Sequence, residues 1–414
     1  MTVRLIANDL APQLDLDGTW EFDTGLQQPG RITVPGCWEA QGYPKTLDGP
    51  VRYRRTFVLP AEWQGRPVVA EFDAVSYAGD VFCNGAPLAH HLGLWSPFAV
   101  DLTSVLQPGT NVIELVVTKP SHALSGGAYA MRTTLAGFLP DVATTFGGVW
   151  QGARLRLVEY GFADLQVDAD PQLRLIRIAA MLVTPSAEAV PQMPLLLQIA
   201  VKLDGVTVAH HVQPVASAAA FQVQLSLTDV VFWSPKEPAL YTVEVRLIAA
   251  GRTVAVSTRR TGFRRLAAQG EQLLLNGEPI CLRGALSWGW NPAVIAPYYT
   301  AEQARAELRT LRAMGFNLVK LCLFIPNQVY YDVADEEGML LWQEWPLWLP
   351  DVTAELRARA PGEYAEYMLL TRSHPSVVVY SLGCELDSSV DHALLQELDD
   401  VARSAVDHVL FCDN

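Results

Sequence analysis

The stretch TAEQARAELRTLRAMGFNLVKLCLF, residues 300–324, decides the fold. The Thr300 hydroxyl is placed to cap a helix, and Gln303 stands three positions on to reciprocate, which is the pattern of a capping box. Ala301, Ala304, Leu308, Leu311 and Met314 then recur at helical spacing, and Gly315 supplies the stop. Asn317 to Phe324 follows as a nearly continuous apolar run, suited to a strand buried on both faces. A helix feeding such a strand is the repeating unit of a parallel βα fold.

The same alternation runs on either side. Strands are expected at Ile280 to Leu286, Met339 to Trp345, Ser376 to Gly383 and Val409 to Cys412. Helices are expected within Gln328 to Glu337, around Gly362 to Arg372, and over Ser389 to Asp407 with Val390, Leu394, Leu398, Val401 and Ala405 turned inward. After the first strand stands Arg283-Gly284-Ala285-Leu286-Ser287-Trp288-Gly289-Trp290 where a dinucleotide-binding sheet would carry a glycine-rich phosphate loop. A (β/α)8 TIM barrel is therefore the better reading. Such a barrel needs eight strands and about 250 residues, whereas five strands are legible after Phe263, so a partial TIM barrel is expected, truncated after its fifth strand.

Upstream the rhythm is all β. Arg54 to Leu59, Val68 to Val75, Tyr77 to Cys83 and Asn111 to Thr118 read as strands, with Asn84-Gly85 as a tight turn. A second series, from Leu173 to Val183 through Thr253 to Arg259, includes the Asp204-Gly205 hairpin and has turn signals about every ten residues, as in an immunoglobulin-like sandwich. The expected organisation is multidomain: a jelly-roll β-sandwich over 1–159, an immunoglobulin-like β-sandwich over 160–262, and the partial barrel over 263–414.

Composition narrows the function. Half of the 414 residues are apolar and 18% are charged, which excludes a disordered chain. Thirty basic against 44 acidic residues leave a net charge of -14, and no local basic patch offsets it, so nucleic acid is not an expected partner. No apolar run approaches the roughly 20 residues of a membrane helix, and the N-terminus has no legible secretory signal. A cytoplasmic protein without membrane partners is expected. Cys37, Cys83, Cys281, Cys322, Cys384 and Cys412 form no C-x-x-C pair and read as buried free thiols, so neither metal nor cofactor is expected.

In a βα barrel, chemistry gathers where the strands end at their C-terminal side. Those ends offer Trp288, Trp290 and Asn291; Phe324 and Asn327; Glu344, Trp345 and Trp348; Cys384, Glu385 and Asp387; and Asp413 with Asn414. Aromatics mixed with carboxylates suit a sugar, whose apolar ring faces stack on indole while its hydroxyls find polar partners. Glu385, partly desolvated in an aromatic mouth, would have the raised pKa of a general acid; the alternative is a solvated glutamate opening the next helix. Glu344 carries the same two readings.

The phrases also resemble glycoside hydrolase family 2 (β-galactosidase, β-mannosidase or β-glucuronidase type), over most of the chain. They are Asp17-Gly18-Thr19-Trp20, Val34-Pro35-Gly36-Cys37-Trp38, Tyr53-Arg54-Arg55-Thr56-Phe57, Gly147-Gly148-Val149-Trp150, Trp233-Ser234-Pro235, Gly262-Phe263-Arg264, Leu275-Asn276-Gly277, Met314-Gly315-Phe316-Asn317, and His374-Pro375-Ser376 leading to Ser381-Leu382-Gly383-Cys384-Glu385. The resemblance implies a retaining β-glycosidase of carbohydrate metabolism with Glu385 as acid/base. It implies substrate contacts at the positions of Cys384 and Lys320, to which the strand ends add Glu344, Trp345, Trp288 and Asn291, and a nucleophile on a strand beyond Asn414. Two departures stand out: Cys384 replaces the usual Asn, and Lys320 replaces a forked Arg. These motivate the rival expectation, a catalytically inactive carbohydrate-binding or scaffolding derivative. Open strand edges further predict aggregation or a homo-oligomer.

Overall fold

The computed structural model describes residues 2–26, 28–123, 129–137, 145–185, 195–386 and 391–412. Alternating apolar residues build two β-sandwiches. In the first, a five-stranded and a six-stranded antiparallel sheet close over Trp20, Phe22, Tyr53, Phe72, Ile113 and Leu155. Gly109–Thr118 shows the cause: Asn111, Ile113, Leu115 and Val117 are buried while the residues between them are not. Asn84 and Gly85, at φ 51° and 80°, form the expected turn between Ala78–Cys83 and Ala86–Leu92.

The second sandwich pairs two four-stranded antiparallel sheets around Ile176, Ile178, Leu197, Ile199, Val243 and Val245. The Asp204-Gly205 turn joins Leu195–Leu203 to Val206–Val215 as expected. The N-terminal segment crosses the boundary drawn at residue 159, because Ile6–Ala7 pairs with Phe162 and Ala163 in this second sandwich. Asn8 fixes the crossing by donating to the carbonyls of Tyr160 and Val254.

Beyond the sandwiches lies a five-stranded parallel sheet: β1 (Gly284–Ser287), β2 (Leu318–Leu321), β3 (Leu340–Glu344), β4 (Val377–Ser381) and β5 (Leu410–Cys412), paired in that order. The helices are α1 (Ala301–Ala313), α2 (Gln328–Glu337), α3 (Ala354–Thr371) and α4 (His392–Ala405). The Thr300–Gln303 capping box forms in both directions at α1.

Two elements differ from expectation. Strand one begins at Gly284, because Asn276-Gly277 makes a further tight turn that draws Glu278–Ile280 into a small antiparallel sheet with Leu266–Gln269 and Gln272–Leu275. Helix α3 starts at Ala354, eight residues before the expected Gly362, and carries Pro361 inside it. Its buried stripe of Leu356, Ala360, Tyr364, Tyr367 and Met368 outweighs the proline, and the Thr353 hydroxyl accepts the Leu356 N–H to start it. No helix among the described residues is long and apolar enough to cross a membrane.

Register sets the two faces of the parallel sheet. Lys320 lies beside Trp342 and Trp342 beside Val379, while Glu344, Ser381 and Cys412 form the next row of the same face. Leu321, Gln343, Tyr380 and Phe411 take the opposite, helix-covered face. The first sandwich shares that helix-side core, since Tyr77, Leu94, Trp95 and Trp150 pack into one cluster with Leu321, Trp345, Tyr364 and Tyr380. The second sandwich is tied on by ions: Arg260 reaches Glu336 at 2.6 Å and Asp332 at 3.1 Å on α2, and Arg372 of α3's C-cap pairs with Asp168.

Glu363 of α3 sits within the shared core. Its Oε2 accepts the Tyr367 hydroxyl at 2.8 Å, its Oε1 accepts that of Tyr77 at 3.5 Å, and Arg359 Nε lies 2.6 Å away. Burial pushes this carboxyl from its ordinary 4.5 up to about 7, against the pull of Arg359 and Tyr367. The fold therefore holds a proton that the unfolded chain has lost. The resulting stabilisation, on the order of 3 kcal/mol, is complete below about pH 4.5 and lost as the pH rises through about 7. Urea unfolding across that window should show Glu363→Gln, a mimic of the neutral form, losing much less stability than the parent; parallel curves would contradict this assignment.

Candidate functional site

The parallel strands end on a common rim, where the polar groups of the inner face collect. On β2 and β3, Lys320 Nζ stands 2.5 Å from Glu344 Oε2, and the Glu344 side chain has no exposed surface. The ammonium also lies 4.8 Å over the Trp342 ring, a cation–π contact. Trp342 Nε1 in turn donates to Ser381 Oγ at 2.6 Å, and Ser381 Oγ lies 3.1 Å from Cys412 Sγ. One polar chain thus crosses β2, β3, β4 and β5.

Above it stand Cys322, Glu344 and Cys384, whose Sγ, carboxylate O and Sγ atoms lie within 4.8 Å of one another. The Cys322 thiol is pushed well up by its hydrogen bond to Cys384, by burial and by Glu344. Cys384 moves down, chiefly because Cys322 donates to it, with Lys320 assisting. The loops after β3 and β4 are joined here: Cys384 N donates to Leu347 O at 2.9 Å, and Trp348 pairs with Cys384 as a β-bridge. Gly383 is required in that seam, since a Cβ there would meet Leu347 O at 2.4 Å.

Glu385 follows in the left-handed region, at φ 55°, and its Oε2 accepts the Trp348 indole N–H at 2.6 Å. The carboxylate is exposed rather than desolvated, which corrects the expected aromatic burial. The turn after β4 carries it past the rim, so the indole holds its edge while solvent reaches the rest.

Of the residues singled out from the sequence, Glu344, Lys320 and Cys384 converge, and Glu385 joins them through Trp348. Trp345 does not. It is fully buried against Tyr364, Tyr367 and Tyr380 on the helix side, because strand alternation sends Glu344 inward and its neighbour outward. Asn291 serves its own loop, with Oδ1 accepting the Ala293 N–H at 3.1 Å and Nδ2 donating to Tyr298 O at 3.4 Å. Trp288 is half-buried on the loop after β1. Asp387, Asp413 and Asn414 lie outside the described residues. Cys322, Trp342 and Ser381 escaped the sequence reading, although a strict two-residue count places Cys322 on the face of Lys320 and Trp342 on that of Glu344. Cysteine exposure also differs from expectation, Cys281 being exposed and Cys384 and Cys412 half-buried.

A cleft of about 660 Å³ lies at the opposite end of the strands, lined by Phe232, Pro235, Asn276, Arg312, Gly315 and Gly338. Clefts are the usual home of ligands, and this one also carries Lys236, Glu237, Glu278 and Cys281, but it lies at the N-terminal end of the strands, the end that serves stability in a βα fold. The rim is the better candidate.

The family model for glycosyl hydrolases family 2, sugar binding domain, matches residues 7–131, and that for glycosyl hydrolases family 2 matches residues 195–264. A β-galactosidase of Thermoanaerobacter pseudethanolicus is 24% identical over 85% of this chain and 46% of its own length. A putative β-glucuronidase of Formosa agariphila is 25% identical over 91% of this chain and 35% of its own. The chain thus spans less than half the length of these curated relatives. Among solved structures, the β-D-mannosidase of Dictyoglomus thermophilum superposes with a TM-score of 0.82 at 17% identity, covering 97% of this chain and 57% of that one. The β-glucuronidase of Bifidobacterium dentium gives 0.79 at 20% identity, covering 98% and 74%.

Replacing Lys320 by Met would leave Glu344 buried beside an apolar chain, at an expected cost of about 3–5 kcal/mol in urea unfolding. Adding Glu344→Leu should restore most of it. A loss for Lys320→Met below about 1 kcal/mol, the range of exposed pairs, would mean that this carboxylate is not desolvated.

Proposed function

We propose that this chain, whose residues 7–131 and 195–264 belong to glycosyl hydrolases family 2, is part of a retaining β-glycosidase of the β-galactosidase, β-mannosidase or β-glucuronidase type. Its domains are the jelly roll of 1–159, which lends Ile6–Ala7 to the next domain, the immunoglobulin-like sandwich of 160–262 and the first part of an eight-stranded barrel over 263–414. The observation that carries the reading is the position of Glu385, four residues past β4, on a rim shared with Trp348, Cys384 and the Lys320–Glu344 pair. The parallel order of the five strands and the half-exposed Leu286 on β1 support closure by further strands.

In this reading Glu385 protonates the departing glycosidic oxygen and later takes a proton from water. A second carboxylate, about 5–5.5 Å from it, forms the glycosyl-enzyme and is contributed from beyond residue 414. The Trp348 indole, bonded to one oxygen, fixes the carboxyl's orientation and leaves the other oxygen to face the sugar. Glu344 is already engaged by Lys320 and serves as a neighbouring charge rather than as the acid.

The second reading, a carbohydrate-binding derivative without turnover, draws on the exposure of Glu385 and on Cys384 in the place of a better hydrogen-bond donor. Kinetics on a form that includes the remainder of the barrel separates the two. Glu385→Gln should lower kcat/KM by about 10²- to 10⁴-fold on alkyl β-glycosides, whose leaving oxygen needs the proton, and less on activated aryl glycosides. An unchanged rate on both substrates would overturn the acid/base role, and a parent without activity on any β-glycoside would favour the binding reading.

A further inference from the structure

Three ligand-bearing side chains meet where β2, β3 and β4 end: Cys322 and Glu344 buried, Cys384 half-buried, with their donor atoms within 4.8 Å of one another. We propose that Cys322, Cys384 and Glu344 bind a divalent cation of the zinc type, with a fourth position open toward the rim. This departs from the expectation of a metal-free site and does not depend on the glycosidase reading.

The donor set selects the ion. Two thiolates favour a borderline-soft metal, whereas magnesium and calcium demand six or more oxygens. Zinc bonds of about 2.3 Å to sulfur and about 2.1 Å to oxygen set tetrahedral ligands about 3.5–3.8 Å apart. The observed spread of up to 4.8 Å therefore closes by about an ångström, within the reach of side-chain rotation. Three protein ligands and one open position is the arrangement of zinc sites that also admit water or substrate.

The backbone is shaped for it. Cys322 is followed by Leu323 at φ 60°, and Cys384 by Glu385 at φ 55°. Left-handed non-glycine residues are rare and cluster where a site needs them. Here the same turn follows each cysteine at its strand end.

Charge balance supports the site as well. With both thiols protonated, Lys320 and Glu344 cancel. Loading removes one proton from each thiol, giving three anionic ligands against Lys320 and a dication, again a net of zero. One M²⁺ enters, two protons leave to solvent, and the buried charge does not change, so desolvation does not oppose binding. Lys320 stays on Glu344 Oε2 and orients the carboxylate.

The test uses the whole 414-residue chain, stripped of metal and kept reduced with a phosphine, and titrated with Co²⁺. One ion per chain should bind with sulfur-to-cobalt charge-transfer absorption and intense tetrahedral visible bands, and Zn²⁺ should bleach both as it displaces the cobalt. Zinc uptake should release about two protons per ion. Cys322→Ser and Cys384→Ser should each weaken Co²⁺ binding by at least about 100-fold, while Cys281→Ser, at an exposed thiol outside the cluster, should leave it unchanged. The titration of the parent chain decides even if a serine variant misfolds. Absence of the charge-transfer absorption, or its persistence in both folded serine variants, overturns the site.

Discussion

A carboxylate without exposed surface, Glu344, faces an ammonium 2.5 Å away on the neighbouring strand, and the inner face of the parallel sheet is organised around that contact. Neither ion is affordable alone in such a place, because desolvation of an unpaired charge costs several kcal/mol. Parallel pairing supplies the partner by register: β2 and β3 align Lys320 beside Trp342, which brings the ammonium over the indole and its tip to the end of β3. The indole then commits its own N–H to Ser381, and the polar line continues to Cys412.

That line needs a rigid frame, and the frame is shared. The first sandwich does not merely sit beside the parallel sheet but contributes Tyr77, Trp95 and Trp150 to its helix-side core. Its loop also grips the rim, with Gly137 N donating to Pro346 O at 3.1 Å and Arg132 Nε to Leu349 O at 2.5 Å. A Cβ at Gly137 would fall 2.0 Å from Leu323 O, so the loop approaches the strand-end turn as closely as backbone allows. The second sandwich is held through arginine–carboxylate pairs on α2 and α3 and through Trp233, which is buried in one apolar cluster with Leu318, Leu340 and Val378. The first sandwich thus reaches the rim, while the second docks near the ends of α2 and α3 that lead into β3 and β4, at the opposite end of the strands.

Much of this was legible in the sequence because the signals were local. The Thr300 box, the Asn84-Gly85 and Asp204-Gly205 turns and the run at Asn317 to Phe324 each specify their own geometry. The failures were of two physical kinds. Some arose where tertiary packing overrode a local rule, as at Pro361, which a buried stripe keeps inside α3. Others arose where one residue of phase decides everything: Glu344 and Trp345 are neighbours, yet one faces the rim and the other the aromatic core. The place of Glu385 just past β4 follows from strand position, but its exposure depends on the left-handed turn after β4, which no residue type announces. The pairing of Cys322 with Cys384 was hidden because strand order brings together thiols that sequence separation keeps apart.

In the proposed reading, chemistry gathers at the C-terminal rim of the parallel strands. The most direct test of the proposed reading is a crystal structure of a form that includes the further strands proposed to close the barrel, soaked with a β-glycoside-derived inhibitor. The sugar should lie against Glu385, Trp348 and Cys384, above the Lys320–Glu344 pair. Density instead in the cleft between Pro235, Asn276 and Arg312, at the other end of the strands, would contradict it.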